Sequence, residues 1–164
     1  YSGIMVDTNN FTTQANVRTF EAVAYLKRNG ADITRIRKLF RSNSAEYLLR
    51  AEAISKAELY RSHFAITTLP DNNSAIITPA TGAKVANALL EIEDVKASFV
   101  CFPYKSQIYI NARSIDDVNV QLIMEKMGGG GHVSVAATQL DCTINEAIIT
   151  LKQTLNQMIQ EGEI

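Results

Sequence analysis

The chain has no tryptophan, three prolines, two cysteines and two histidines in 164 residues. Each scarcity excludes something. Cys101 and Cys142 stand 41 positions apart with no CxxC pair, which argues against a disulfide scaffold or structural zinc site and suits reduced thiols in a cytosolic protein. A net charge of −1 and a pI near 6.2 provide no general field for a polyanion, so no long nucleic acid is expected as a partner and anion recognition must be local. No apolar run approaches the ~18–20 residues that span a bilayer, and a soluble chain is expected. Tyr1-Ser2-Gly3 lacks an initiator Met, a basic leader and a signal-like core, so the chain reads as cut from something longer. What it does have is 46% apolar residues, enough for one or two small domains that bury about two-thirds of their surface.

Ile4-Met5-Val6 reads as a short buried strand ending in the turn Asp7-Thr8-Asn9-Asn10, the kind of strand end where open α/β sheets place ligands. Three helices are expected next. Asn16 caps the first, carrying Phe20, Val23, Ala24 and Lys27, with Gly30 at its end; Asp32 caps the second, with Ile33, Ile36, Leu39 and Phe40 on one face. Asn43 and Glu46 have capping-box spacing and open a third helix running to about Tyr60. The period then changes. Phe64 to Leu69 alternates as a strand, a turn cluster occupies 71–74, and a second short strand is expected over 75–77. Thr78-Pro79 starts a helix through Val85, Leu89 and Ile92. Strands follow over 97–104 and 107–113 around a tight Lys105-Ser106 turn, then a short helix from about Asp117 through Val120, Ile123 and Met127. A strand near 137–140 leads to a last helix with a Thr143/Glu146 capping box and one stripe of Ile144, Ala147, Ile148, Leu151, Leu155 and Met158.

Four of the eight glycines are consecutive, Gly128 to Gly131, and His132 follows them. One glycine suffices for a helix cap, so the rest suggest backbone that approaches a ligand and offers N–H groups to a phosphate or base edge. His132 can hydrogen-bond that ligand. Asn111-Ala112-Arg113-Ser114 ends an alternating strand, where Arg113 offers a planar fork for phosphate oxygens or a base face, against the plainer reading of an exposed salt bridge. Asn119 is read as a helix cap, and the Arg35, Arg37, Lys38, Arg41 group as a solvated face. Asp7 is the acidic candidate. With His63 and His132 the only histidines, no complete divalent-metal site assembles from this sequence.

Asp7-Thr8-Asn9-Asn10-Phe11 within GIMVDTNNF, then VRTFEAVAYLKRNGAD, ASFV, NARSIDDVNVQLIMEKMGGGGH and AATQL, together resemble the C-terminal part of DHH-family phosphoesterases with a DHH-associated domain, of the GdpP-type cyclic-di-AMP phosphodiesterase kind. The resemblance implies an α/β fold: the end of a DHH domain over 1–15, a helical connector over 16–62, and a DHH-associated substrate-binding domain with a mixed sheet flanked by helices over 63–164. It implies a two-manganese (Mn2+) enzyme that opens cyclic di-AMP to 5′-pApA, with most metal ligands in the upstream DHH domain and Asp7 as the last. Gly128, Gly129, Gly130, Gly131 and His132 match the family's substrate-binding signature, and Arg113 with Ser114 match the strand-end pair near the nucleotide. Asp116 stands where a small residue is expected. The resemblance further implies a membrane-anchored parent with this part on the cytoplasmic face. The apolar connector helices make a homodimer plausible, and the fragment alone is expected to be inactive. A pApA or short-oligonucleotide phosphodiesterase, and a non-catalytic nucleotide- or RNA-binding module, are the competing readings.

Overall fold

The computed structural model describes residues 1–12, 14–71, 76–115 and 118–164. It divides into two compact units, Tyr1–Asn43 and Ser44–Ile164. No helix among the described residues is long and apolar enough to cross a membrane.

In the first unit, α1 (Ser2–Asp7), α2 (Val17–Arg28) and α3 (Ile33–Leu39) are short helices with local caps. The Asn16 side chain accepts from the Thr19 N–H at 3.1 Å while the Thr19 hydroxyl accepts from the Asn16 N–H, a reciprocal box. Asp32 accepts from the Arg35 N–H in the same way. The strand expected at Ile4–Val6 is instead part of α1. Among the described residues this unit offers no strand for it to pair with, so its backbone bonds locally: the Met5 N–H donates to the Tyr1 carbonyl and the Thr8 N–H to that of Ile4, both at 3.0 Å. Thr8 is the one buried residue described here, and Phe20, Leu39 and Phe40 are exposed although helical spacing puts them on expected packing faces.

The second unit contains α4 (Ser44–Ser55), β1 (Glu58–Tyr60), β2 (Phe64–Thr68), α5 (Pro79–Leu89), β3 (Ala97–Tyr104), β4 (Gln107–Ser114), α6 (Val120–Lys126), β5 (Gly130–His132), β6 (Val135–Leu140) and α7 (Ile144–Glu161). The strands form one mixed sheet in the order β1-β2-β3-β4-β6-β5, α/β as the sequence implies. Only β2 and β3 run parallel, and α5 lies in their crossover. The third helix stops at Ser55, short of Tyr60, because Glu58–Tyr60 pairs antiparallel with β2 and the Tyr60 hydroxyl donates to Asn156 on α7. Most of the 71–74 turn, Ala75 of the expected 75–77 strand, Asp116 and the Asp117 helix start lie outside the described residues; Ile76 and Ile77 are not in a strand. Lys105 and Ser106 have φ of 49° and 66°, the left-handed pair that closes a two-residue hairpin.

Register assigns each side chain to a face. Phe99, Cys101, Ile110 and Ala112 pack under α6 and α7 with Ile123, Met124, Leu151 and Leu155. Val100 and Phe102 face the other way, against Val85, Ala86 and Leu89 of α5. A Cβ on Gly82 would run into the Phe102 ring and the Asn111 amide, so helix and sheet meet at a distance only glycine permits. The Asn111 amide donates to the Pro79 carbonyl at 2.7 Å, fixing the start of α5 over β4.

Candidate functional site

α5 packs on β3 and β4, and beyond it no described helix of the second unit covers the α5 side of the sheet. Along β6 the residues under α6 and α7, Ala136 and Thr138, are buried; Val135 and Gln139 on the opposite face are exposed and Ala137 is half-buried. Directly paired residues of an antiparallel ladder share a face. Arg113 pairs with Val135, and Val135 with His132, so all three lie in one row across β4, β6 and β5. Two strand spacings put the Arg113 and His132 backbones roughly 10 Å apart. The next row is Asn111, Ala137 and Gly130; the one after is Tyr109 and Gln139. The result is a shelf with small residues at its centre and polar side chains at its ends.

Arg113 is half-buried, and that burial pulls its guanidinium below its ordinary pKa because the charged form loses solvation. Its one described bond is from Nη1 to the neighbouring Ala112 carbonyl, at 2.8 Å, and no carboxylate among the described residues forms an ion pair with it. A partly desolvated cation with no counter-ion among the described residues is suited to an anionic ligand. The His132 ring is exposed and, among the described residues, has no hydrogen-bond partner.

The four glycines divide by role. Gly128 has φ of 80°; its N–H donates to Glu125 and that of Gly129 to Met124, the paired bonds of a Schellman cap on α6. Those two N–H groups are therefore spent inside the chain. A Cβ on Gly129 would strike the Ala137 carbonyl and Thr138, and one on Gly131 the Val135 carbonyl and Ala136. Gly130 alone of the four faces the shelf, with nothing within 4 Å of its missing Cβ and backbone angles open to any residue.

Ser114 does not join Arg113. Its side chain is on the opposite, buried face, where Oγ donates to the Val133 carbonyl at 3.3 Å. The Val120 N–H donates to the same carbonyl at 2.9 Å, so the end of β4 and the start of α6 both hold the loop that follows His132. Asn119 caps α6, accepting from the Gln121 N–H at 3.0 Å. His63 Nδ1 lies 3.1 Å from the Asp94 carbonyl, a structural contact. Arg35, Arg37, Lys38 and Arg41 are exposed. Asp7 is an exposed carboxylate in the first unit, and no group of three or more His, Cys, Asp or Glu among the described residues could hold a metal ion. A cavity of about 520 Å³ opens at the hairpin end of β4, lined by Tyr104, Lys105, Gln107 and Cys142, at the other end of the strand from Arg113. Sequence reasoning misses Tyr109 and Gln139, although Gln107, Tyr109, Asn111 and Arg113 alternate along one face.

The chain is 37% identical over 98% of its length to the cyclic-di-AMP phosphodiesterase GdpP of Bacillus subtilis, and 40% identical over 89% to the cyclic-di-AMP phosphodiesterase PdeA of Listeria monocytogenes. It spans 25% and 22% of those proteins, about a quarter of each. In fold it is similar to an exopolyphosphatase-related protein from Bacteroides fragilis, with a TM-score of 0.85 at 22% identity over 94% of this chain and 48% of that one. The DHHA1 domain matches residues 62–161, which include every strand from β2 onward, the shelf and all of α7. The chain belongs to the DHHA1 domain family.

Proposed function

We propose that this chain is the substrate-holding part of a phosphodiesterase that hydrolyses cyclic di-AMP to 5′-pApA, and that a phosphate of the dinucleotide sits between Arg113 and His132. The observation that carries this is the row Arg113, Val135, His132 on an uncovered sheet face, with Ala137 and Gly130 leaving room beside it. Similarity along almost the whole chain to two cyclic-di-AMP phosphodiesterases supports the choice of substrate. The parent in this reading is membrane-anchored, with this part on its cytoplasmic face.

The family resemblance implies two manganese ions. The described residues of this chain do not by themselves fit such a centre, since Asp7 is a single carboxylate with no second and third ligand beside it. What this chain's own groups do is binding and orientation. Arg113 gives two parallel N–H donors to phosphate oxygens, and an anion there restores the solvation that burial removes from the guanidinium. His132 donates from the far side of Val135, and a phosphate held from two sides presents its ester bond in one direction. Asp7 is proposed as one ligand of a centre completed by residues outside this chain, so the chain alone is expected to show no turnover.

The test uses the longer catalytic region that includes the upstream domain. A hydrogen bond to a charged group contributes about 1.5–3 kcal/mol, so Arg113→Ala and His132→Ala should each lower kcat/KM for cyclic di-AMP roughly tenfold or more with the circular dichroism unchanged. Unaltered kinetics in both variants would remove the binding assignment. Faster turnover of linear pApA than of the cyclic form would assign the protein to the linear-dinucleotide reading.

A further inference from the structure

We infer that Tyr109 and Gln139 form a nucleobase subsite that reads the N6/N7 edge of adenine, at the far end of the shelf from Arg113 and His132. The inference rests on the phosphate position proposed above. Gln139 pairs directly with Tyr109, so both side chains stand on the open face, two rows from the Arg113–Val135–His132 row. From Val135 to Gln139 is four residues, roughly 13 Å at the ~3.4 Å rise of a strand. One nucleotide laid along β6, phosphate to base, bridges that span once the Arg113 and Gln139 side chains reach toward each other. Between the two rows lie Ala137 and Gly130, the two smallest side chains on the shelf, where a ribose needs clearance.

The chemistry of the pair points to a base. Tyr109 is held in place by two neighbouring rings: its ring centroid is 5.9 Å from that of Phe102, and 5.2 Å from that of Tyr104 in an edge-on contact. A half-buried ring pinned in this way is a stacking platform that loses little freedom when a base lands on it. Gln139 is exposed, and neither its carboxamide nor the Tyr109 hydroxyl has a hydrogen-bond partner among the described residues. A carboxamide accepts from adenine N6–H and donates to N7 at once, whereas the same edge of guanine presents two acceptors and satisfies only one of its groups. Neither residue is needed there for a bond that holds the fold together.

The test titrates the 164-residue chain, followed by NMR, with adenosine 5′-monophosphate, its 7-deaza analogue and ribose 5-phosphate. The wild type should bind the 7-deaza nucleotide roughly tenfold more weakly than adenosine monophosphate, a loss in the range of one base-edge contact. Gln139→Ala should lose about the same factor for adenosine monophosphate and no longer distinguish the two nucleotides, while its affinity for ribose 5-phosphate stays at the wild-type value. Such a cycle isolates the contact between one side chain and one ring nitrogen. Tyr109→Leu should weaken both nucleotides equally. If Gln139→Ala still discriminates N7, or binds adenosine monophosphate as tightly as the wild type, the base subsite is wrong and the phosphate site stands. If ribose 5-phosphate does not bind, or binds equally to Arg113→Ala, the phosphate site falls and takes the subsite with it.

Discussion

Consecutive glycines that look identical in sequence differ sharply once their surroundings are counted. Gly131 has φ of 151° and its Cβ would press on the backbone of β6, so Gly131→Ala should destabilise the second unit by more than about 1 kcal/mol, read from urea unfolding. Gly130→Ala meets no atom and needs no unusual backbone, so it should leave stability unchanged or raise it by about 0.5 kcal/mol. The same methyl would stand on the shelf beside Ala137, where it should weaken nucleotide binding. Equal destabilisation by both substitutions would show that the two glycines share a structural role. Cys101 offers a second residue-scale test. Burial first, and the nearby Cys142 second, push its thiol up to about 12, so at pH 8.5 it stays neutral and should resist thiol reagents until the protein unfolds. Cys142 lines the hairpin cavity and should be the one labelled first.

Elements whose signals lie within one turn of chain are legible in the sequence alone. The Asn16, Asp32, Thr78 and Thr143 caps, the Lys105-Ser106 hairpin and the apolar stripe of α7 each depend on residues a few positions apart, and each stands where its local chemistry puts it. The α7 cap also has a pH signature. The Thr143 backbone N–H, then its hydroxyl, hold the Glu146 carboxylate below its ordinary pKa, so the cap's contribution is present above the usual glutamate range. It is lost as pH falls through the lower folded value. Glu146→Gln should therefore be less stable than wild type near neutral pH and lose that difference in acid, which paired thermal melts would show. Illegible elements are too short to carry a period of their own and take their state from what they pair with. β1 is strand because β2 is beside it, β5 because β6 is, and Ile4–Val6 is helix in a unit with no strand among its described residues. The site divides in the same way. Arg113 and His132 stand out as residue types and strand alternation turns Ser114 away from Arg113, but that Tyr109 and Gln139 share the shelf follows only from the β4–β6 register.

For the chain as a whole, the uneven distribution of burial decides what can fold alone. Every fully buried apolar side chain among the described residues, from Ala53 to Met158, belongs to the second unit, on one face or the other of its sheet. Among its described residues the first unit buries only Thr8, and it leaves Val17 and Leu39 more than two-thirds exposed, at 74% and 71%. Three short helices with so little apolar burial gain little to offset the backbone entropy of ordering them, since isolated helices under ~12–15 residues are marginal in water. The second unit has two clusters, both complete within residues 44–164. Expressed without residues 1–43, it should unfold in a single cooperative transition within a few degrees of the full chain's and bind ribose 5-phosphate equally well. Hydrogen exchange on the full chain should show α1 to α3 exchanging quickly while β3 and β4 are protected up to global unfolding. A large fall in melting temperature on removing residues 1–43, or slow exchange in α2, would mean that the first unit's apolar side chains are part of the stability of the second.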